Sequence, residues 1–356
     1  MKASSNPRLI DLFSGCGGFS LGAHKAGFDV TAAFDIDPIL TSSYTKNFPK
    51  TSLYLRDVAS LSGDDLRSAA GGAIAGIIGG PPCQGFSTIG RRDPRDPRRK
   101  LLDHYFRLVS EAEPSFFVME NVVGLANPNS IEVLHKALKR VKEQYSLLGP
   151  IVLDASEFGA ATKRSRLFVI GVHKSLNHSL DLEDFNAQKR PPTTVRCAIG
   201  DLLDATEDGE EDGYDYWKIK TKKIPSPYAK SLRNHSLRFT GHRKTIHARE
   251  IVNRFSSLEQ GATDEIGRHY RLKWNGQCPT LRAGTGSDRG SYQSVRPIHP
   301  EFPRVITVRE AARLQGFPDS HIFHPTTWHS FRMIGNSVSP IIAERIFSAI
   351  KAKLFD

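Results

Sequence analysis

Apolar runs of strand length alternate with helical periodicities through the first half of the chain. RLIDLF (8–13), DVTAAFD (29–35), AIAGII (73–78), SFFVME (115–120) and RLFVIGV (166–172) read as strands, and LYLRDV (53–58) as a shorter β segment. Between them, GFSLGAHKAG reads as a helix ended by Gly27, and PILTSSYTKNF as one begun by Pro38. LLDHYFRLVSEA gives a third helix. SIEVLHKALKRVKEQY gives a fourth, with Ile131, Leu134, Leu138 and Val141 on one face. Strand and helix in alternation predict an α/β fold with a mainly parallel sheet covered on both faces, and ligands at the carboxyl ends of its strands. Beyond Val172 the pattern degrades into Pro-, Gly- and charge-rich sequence, until SPIIAERIFSAIKAKLF restores a clear amphipathic helix. The expected division is a first domain of residues 1–175 and 327–356, and a smaller irregular domain of 176–326.

Polar residues at the strand ends supply candidate chemistry. DLFSGCGGFSLG places a glycine-rich turn between strand and helix, where backbone comes close to a ligand at a helix N-terminus. The dinucleotide pattern GxGxxG is not met, because Ser20 stands where the third glycine belongs; a tight β–α connection explains the turn equally well on its own. Asp35 ends the next strand, where an acid meets ribose hydroxyls, and Asp57 follows the strand after that. Two carboxylates without a phosphate-binding lysine suit a nucleoside with little negative charge, S-adenosylmethionine rather than NAD or ATP. GGPPCQGFS then puts Cys83 after a stiff Pro-Pro step at a strand end, as a turn thiol or as a held nucleophile. Glu120 follows the apolar SFFV as a helix cap or a functional carboxyl; apolar surroundings raise a carboxyl pKa and suit it to proton donation. Arg164 and Arg166, at alternate strand positions, are expected on one face and want an anionic partner.

Charge narrows the class of partner. Lys plus Arg number 49 against 38 Asp plus Glu, a net charge of +11, which favours a polyanion. Residues 201–215 hold eight acids and no base, whereas 218–249 hold ten Lys or Arg and no acid. Each run has a solvated face as its plain alternative. A second basic cluster, RRDPRDPRRK (91–100), reads as a mobile loop. The four cysteines, at 16, 83, 197 and 278, form no CxxC pair, so neither a zinc module nor a disulfide framework is expected, and no metal. His235, His242 and His247 lie in the basic segment without a cysteine and are expected at the surface or facing phosphates. No run reaches the length of a membrane span and no signal-peptide core is present, so a cytoplasmic protein is expected.

With these residues in view the chain resembles the bacterial type of DNA (cytosine-5)-methyltransferase. DLFSGCGGFSLG, GGPPCQGFS, MENV, KRSRLFVIG, REAARLQGFPD and GNSVSP occur in that family's order across nearly the whole chain. The resemblance implies a Rossmann-like S-adenosylmethionine-dependent domain plus a target-recognition domain acting on double-stranded DNA. It implies that the Cys83 thiolate adds to carbon 6 of a flipped-out cytosine, that Glu120 supports protonation at ring nitrogen 3, and that Arg164 and Arg166 hold the Glu120 carboxyl and the base carbonyl. The cofactor-binding residues it implies are Phe13, Ser14, Gly15, Cys16, Gly17, Gly18, Asp35, Ile36, Asp57, Val58, Pro82, Leu101, Asn336 and Val338. DNA contacts fall to Gln84, Ser87, Arg91, Arg92 and Arg98 of a closing loop, to Thr280, and to Lys220, Lys222 and Lys223 of the basic run. Two departures from the family pattern, Thr162 for Gln and Arg99 for Asn, touch neither Cys83 nor Glu120. A monomer is expected, as a solitary enzyme or beside a separately acting restriction endonuclease.

Three other readings are weaker. A tRNA cytosine methyltransferase shares the catalytic pair, but the long basic region favours a duplex-DNA reader. A catalytically dead binding protein would lack the thiol or the carboxyl. An NAD oxidoreductase would need the missing third glycine. The target sequence cannot be read, because no residue of the irregular region is assignable to a base.

Overall fold

The computed structural model describes residues 6–82, 100–220, 224–284 and 295–356. The chain forms two units, one of Met1–Asp154, Ser165–Lys189 and Ile342–Asp356, the other of Ala155–Arg164 and Arg190–Ile341. In the first, seven strands run β1 (Arg8–Leu12), β2 (Asp29–Asp35), β3 (Ser52–Leu55), β4 (Gly76–Gly79), β5 (Phe116–Asn121), β6 (Tyr145–Asp154) and β7 (Ser165–His173). They are ordered β3-β2-β1-β4-β5-β7-β6. The pairs among β1 to β5 are parallel, while β7 is antiparallel to both β5 and β6. The sheet reverses order between β1 and β4, and the strand ends on either side of that point carry the glycine turn and the Pro-Pro step.

Helices of this unit are α1 (Gly18–Lys25), α2 (Tyr44–Asn47), α3 (Gly63–Ala70), α4 (Lys100–Ala112), α5 (Pro128–Leu138), α6 (Leu182–Asn186) and α12 (Pro340–Leu354). Leu66 of α3, Phe106 and Val109 of α4 and Leu134 of α5 close over Ile10, Phe34, Phe117 and Val169 of the sheet, all wholly or almost wholly buried. Each such side chain contributes about 1.5–3 kcal/mol through removal from water. The Tyr105 hydroxyl of α4 donates to both Ile77 and Val118 carbonyls, at 3.1 and 3.0 Å, and so fixes β4 and β5 just before their functional ends.

The structure departs from the sequence pattern in three places. Residues 38–43 are turns, and only α2 is helical. The Asp37 carboxylate accepts from the Ile39 and Leu40 amides, and the Thr41 and Ser42 hydroxyls bond nearby carbonyls, so side chains compete with the helical ladder. The fourth helix stops at Leu138 and Tyr145 opens β6 instead, its ring buried and its hydroxyl on the Pro114 carbonyl. Strand β6 itself and α3, held by a reciprocal Ser62–Asp65 capping box, had no signal strong enough to be read.

In the second unit three antiparallel strands, β8 (Thr206–Glu211), β9 (Tyr214–Lys218) and β10 (Arg238–Thr240), accompany α7 (Val195–Ile199), α8 (Pro227–Leu232), α9 (Arg249–Ser256), α10 (Val308–Gln315) and α11 (Thr327–Asn336). Helix α10 is buried along its whole length despite its charge. Arg309 donates to the carbonyls of Thr240, Pro318 and His321; Arg313 is bidentate to Asp319 at 2.7 Å; Glu310 is bidentate to Arg304 at 2.9 and 2.7 Å. Burial works against the charged form of Glu310, but the Arg304 guanidinium overrides it and holds the carboxyl down at about 2. Among the described residues no helix is long and apolar enough to cross a membrane.

Candidate active site

The turn after β1 is built to expose backbone. Phe13 has φ of 62°, Gly15 of 51° and Gly17 of 83°, a left-handed path that glycine takes without cost. The Phe13 and Ser14 amides both donate to the Phe34 carbonyl at the end of β2. A Cβ on Gly17 would sit 2.2 Å from the Phe48 ring, whereas one on Gly15 would meet nothing within 4 Å. Gly17 therefore serves packing, and Gly15 leaves open space. Ser14 is buried with its hydroxyl unpartnered among the described residues. Cys16 and Gly18 are buried beside it.

Asp35 closes the turn from the other side. One carboxylate oxygen accepts from the Gly15 amide at 2.8 Å and the other from the Asp37 amide at 2.9 Å. Burial raises its pKa, and those backbone bonds oppose the rise. Ile36 next to it is 67% exposed, a large apolar side chain in the open. Asp57 is exposed and caps a short 3-10 helix by accepting from the Ala59 amide at 2.9 Å, with Val58 buried behind it. An open glycine backbone, an unpartnered buried hydroxyl and a buried carboxylate with spare lone pairs fit an adenosyl group bearing a ribose diol.

One carboxyl escaped the sequence reading. Asp11, inside β1 and buried, meets the Ser20 hydroxyl at 2.5 Å, which in turn meets the Tyr44 hydroxyl at 2.7 Å. Burial, with the Asp35 charge adding to it against the Ser20 bond, pushes Asp11 up to about 7. Its place in an apolar strand hid it.

The second cluster lies at the ends of β4 and β5. Glu120 is buried, and the Arg166 Nε on neighbouring β7 reaches its Oε1 at 2.9 Å. A Cβ on Gly80 would stand 3.1 Å from the other Glu120 oxygen, so the backbone entering the Pro-Pro step runs close against the carboxyl. Asn121 adds a tie that sequence reasoning missed: its Nδ2 donates to the Pro81 carbonyl at 3.1 Å while its Oδ1 accepts from Val122 at 2.8 Å. Its signal was the N of MENV. Pro82 is exposed, and Leu101 is half-buried on the first turn of α4. Cys83, Gln84, Ser87, Arg91, Arg92 and Arg98 lie outside the described residues, as do Lys222 and Lys223.

Arg164 precedes β7, which begins at Ser165, so the alternate-position argument does not apply to it. Its buried guanidinium donates to the Leu281 and Gly335 carbonyls at 3.2 and 2.8 Å. Thr280 on the same segment donates to the Lys163 carbonyl at 2.7 Å, and the Lys163 amide donates to Cys278. A Cβ on Gly335 would fall 2.3 Å from the Ala283 amide nitrogen, so α11 approaches this segment only with glycine there. Asn336, exposed, and Val338, buried, follow at the end of α11. Lys220 is exposed. His242, expected at the surface, is buried: its Nδ1 lies 2.9 Å from the Thr307 hydroxyl, and burial pushes its pKa down to about 4. Cys278 is buried too, which pushes its thiol far up and leaves it inert.

The family model for C-5 cytosine-specific DNA methylases matches residues 7–352. The Type II methyltransferase M.XorII of Xanthomonas oryzae pv. oryzae is 41% identical over 371 residues, 98% of this chain and 86% of that protein. M.DdeI of Desulfomicrobium norvegicum is 32% identical over 384 residues, covering 96% and 88%. A solved E. coli structure, a candidate DNA modification methyltransferase encoded within a prophage, superposes with a TM-score of 0.85 at 40% identity, covering 99% of this chain and all of that one. Schizosaccharomyces pombe Dnmt2 methyltransferase shares the fold, with a TM-score of 0.63 at 18% identity.

Proposed function

We propose, from the premise that this chain belongs to the C-5 cytosine-specific DNA methylase family, that it methylates a flipped-out cytosine through a covalent Cys83 adduct. The chain is a DNA (cytosine-5)-methyltransferase of the restriction-modification type, with S-adenosylmethionine as the methyl donor its family implies. The donor supplies an electrophilic methyl group. The Asp35 carboxylate, Gly15 backbone and Ser14 hydroxyl bind its nucleoside end. The observation that carries the mechanism is the buried Glu120–Arg166 pair at 2.9 Å beside the Gly80–Pro81 backbone that leads into Cys83.

The chemistry asks for both groups. Carbon 5 of cytosine is too poor a nucleophile to take a methyl unaided. Addition of the Cys83 thiolate to carbon 6, with a proton passed from Glu120 to ring nitrogen 3, turns it into an enamine. Carbon 5 would then bond the methyl carbon as the donor's sulfur–methyl bond breaks, with S-adenosylhomocysteine as the thioether leaving group. Loss of the carbon 5 proton to a base, return of the ring nitrogen 3 proton to Glu120 and rupture of the Sγ–carbon 6 bond release 5-methylcytosine and the thiolate. Arg166 fixes the orientation of Glu120 throughout. Flipping brings the base out of the stack to these groups. The second unit carries target recognition.

DNA bearing 5-fluorocytosine at the target tests this. Fluorine cannot leave as the proton does, so wild-type protein and cofactor should accumulate a denaturation-resistant complex that maps to Cys83. Cys83→Ser should neither trap nor methylate, while Cys197→Ser and Cys278→Ser should do both. A wild-type enzyme that methylates the DNA yet never traps refutes the covalent step.

A further inference from the structure

The acidic run and the basic run face each other in the second unit. Of the acids in 201–215, Asp201 is a buried partner of Arg233 and Arg313, at 2.8 and 3.1 Å. Asp215 is also structural. Its carboxylate accepts from the Gly241, His242 and Arg243 amides at 3.0, 2.8 and 2.7 Å and from the Trp217 indole at 2.8 Å. The others lie on or beside β8, a strand whose six residues are all exposed and which adds nothing to a core. From it Asp208 and Glu211 reach Arg238, at 2.7 and 3.4 Å, and Glu210 reaches Arg243 at 2.6 Å. The Arg238 guanidinium also lies 3.7 Å over the Tyr216 ring, and the Arg243 backbone is pinned by Asp215 and the buried His242. Both arginines are thus held in place by aromatic or backbone anchors and neutralised by carboxylates.

We propose that β8 is an internal stand-in for a row of DNA phosphates, which holds Arg238 and Arg243 in the free protein and yields them to the duplex on binding. The partner follows from charge and geometry: planar guanidinium groups already seated on carboxylates accept phosphate oxygens in the same way. Exposure makes the exchange cheap. Arg243 and Glu210 are 62% and 57% exposed, and surface pairs of that kind contribute little, unlike the buried Arg313–Asp319 pair. Acids on an edge strand also deter edge-to-edge pairing. Lysines would do that as well, and they would not meet two arginines. The consequence is discrimination: weak contacts with arbitrary DNA must displace three carboxylates, so the strand lowers non-specific binding most. This inference rests on the reading of the chain as a DNA enzyme.

The test neutralises the strand with Glu207→Gln, Asp208→Asn, Glu210→Gln and Glu211→Gln, and uses Glu210→Gln alone as a milder variant. Binding to a non-cognate duplex is measured from 50 to 200 mM salt, with heparin elution as a DNA-independent reading and methylation of DNA recorded in parallel. In the wild type the released carboxylates take up cations, which offsets the counterions that DNA gives off. The fourfold variant should therefore bind roughly tenfold tighter, and its slope of log affinity against log salt should steepen by about 0.9 per arginine. Glu210→Gln should show part of this. Adding Arg238→Ala and Arg243→Ala should abolish the gain. Unchanged affinity and slope in both acid variants, or a gain that survives removal of both arginines, overturns the exchange. Absent methylation by wild-type protein counts instead against the enzymatic reading, and heparin elution still reports on the arginines.

Discussion

Replacing Asp35 should cripple cofactor binding while leaving the protein folded. A carboxylate offers about four acceptor sites, and the Gly15 and Asp37 amides occupy one on each oxygen. One site per oxygen is left, which matches the two hydroxyls of a ribose. Bonds to a charged acceptor contribute about 1.5–3 kcal/mol each. Taking the lower value twice, Asp35→Ala should lose about 3 kcal/mol, or roughly 150-fold in Kd. Stability should change less, because the lost Gly15 anchor is offset by relief from holding a buried charge. Asp35→Asn should not rescue binding, since its amide NH2 must face one of the two backbone N–H groups. Titration calorimetry with S-adenosylhomocysteine supplies the Kd, and thermal melting checks the fold. There is also a pH signature. Burial raises the pKa of Asp35 above the usual aspartate value, and binding needs the ionised form, so wild-type affinity should weaken as pH falls through that raised pKa. The Ala variant should be flat over the same range. A Kd within threefold of wild type, or an unchanged pH profile, refutes the ribose role.

Three further outcomes are expected. Asn121→Ala removes the tie to the Pro81 carbonyl; kcat and the rate of 5-fluorocytosine trapping should fall at least tenfold with cofactor Kd unchanged, and unaltered trapping would exclude a positioning role. Asp11, raised from 3.8 to about 7, contributes stability that is fully present below 3.8 and is lost as pH rises through 7, up to about 4 kcal/mol. Asp11→Asn should therefore melt higher than wild type at pH 8–9, and denaturant curves showing the reverse order would contradict the assignment. Neutralising Lys220, Lys222 and Lys223 together should weaken binding to all duplexes alike and shrink the salt slope by about 0.9 per phosphate contact; an unaltered slope returns the run to a solvated face.

Most of the first unit was legible because buried strands in an α/β fold are nearly continuous apolar runs, as in SFFVME and RLFVIGV. Such a run carries no direction, however, so the antiparallel set of β7 could not be read. Strand β6 was hidden by Gly149 and Pro150 in its middle and by half-exposed flanks. At the site, residues at strand ends were conspicuous: Glu120 and Asp35 break apolar runs just where the sheet stops. Asp11 breaks one in the middle and drew no notice. The second unit was the least legible. Helix α10 carries Arg309, Glu310 and Arg313 and is nonetheless buried, because Arg309 satisfies three loop carbonyls that no periodicity reveals. The basic run likewise looked free of acids, since its partners came from the preceding acidic run folded back across a hairpin.

Helix α12 joins distant parts of the sequence. A Cβ on Gly22 of α1 would lie 2.4 Å from the Ala343 side chain, Phe347 packs on Phe19 and Phe28 at 5.6 and 5.9 Å, and Phe355 reaches Phe28 and Phe116 at 5.7 and 6.1 Å. The helix that springs from the glycine turn is thus roofed by residues made more than three hundred positions later. During synthesis the first unit must wait, its apolar back uncovered, while the entire second unit leaves the ribosome. Folding of the two units is thereby put in order: the second can finish first, and the glycine turn of the first is sealed last. The same clasp brings the beginning and end of the first unit side by side, so a short linker between them and a new opening in a surface loop should yield a circularly permuted enzyme.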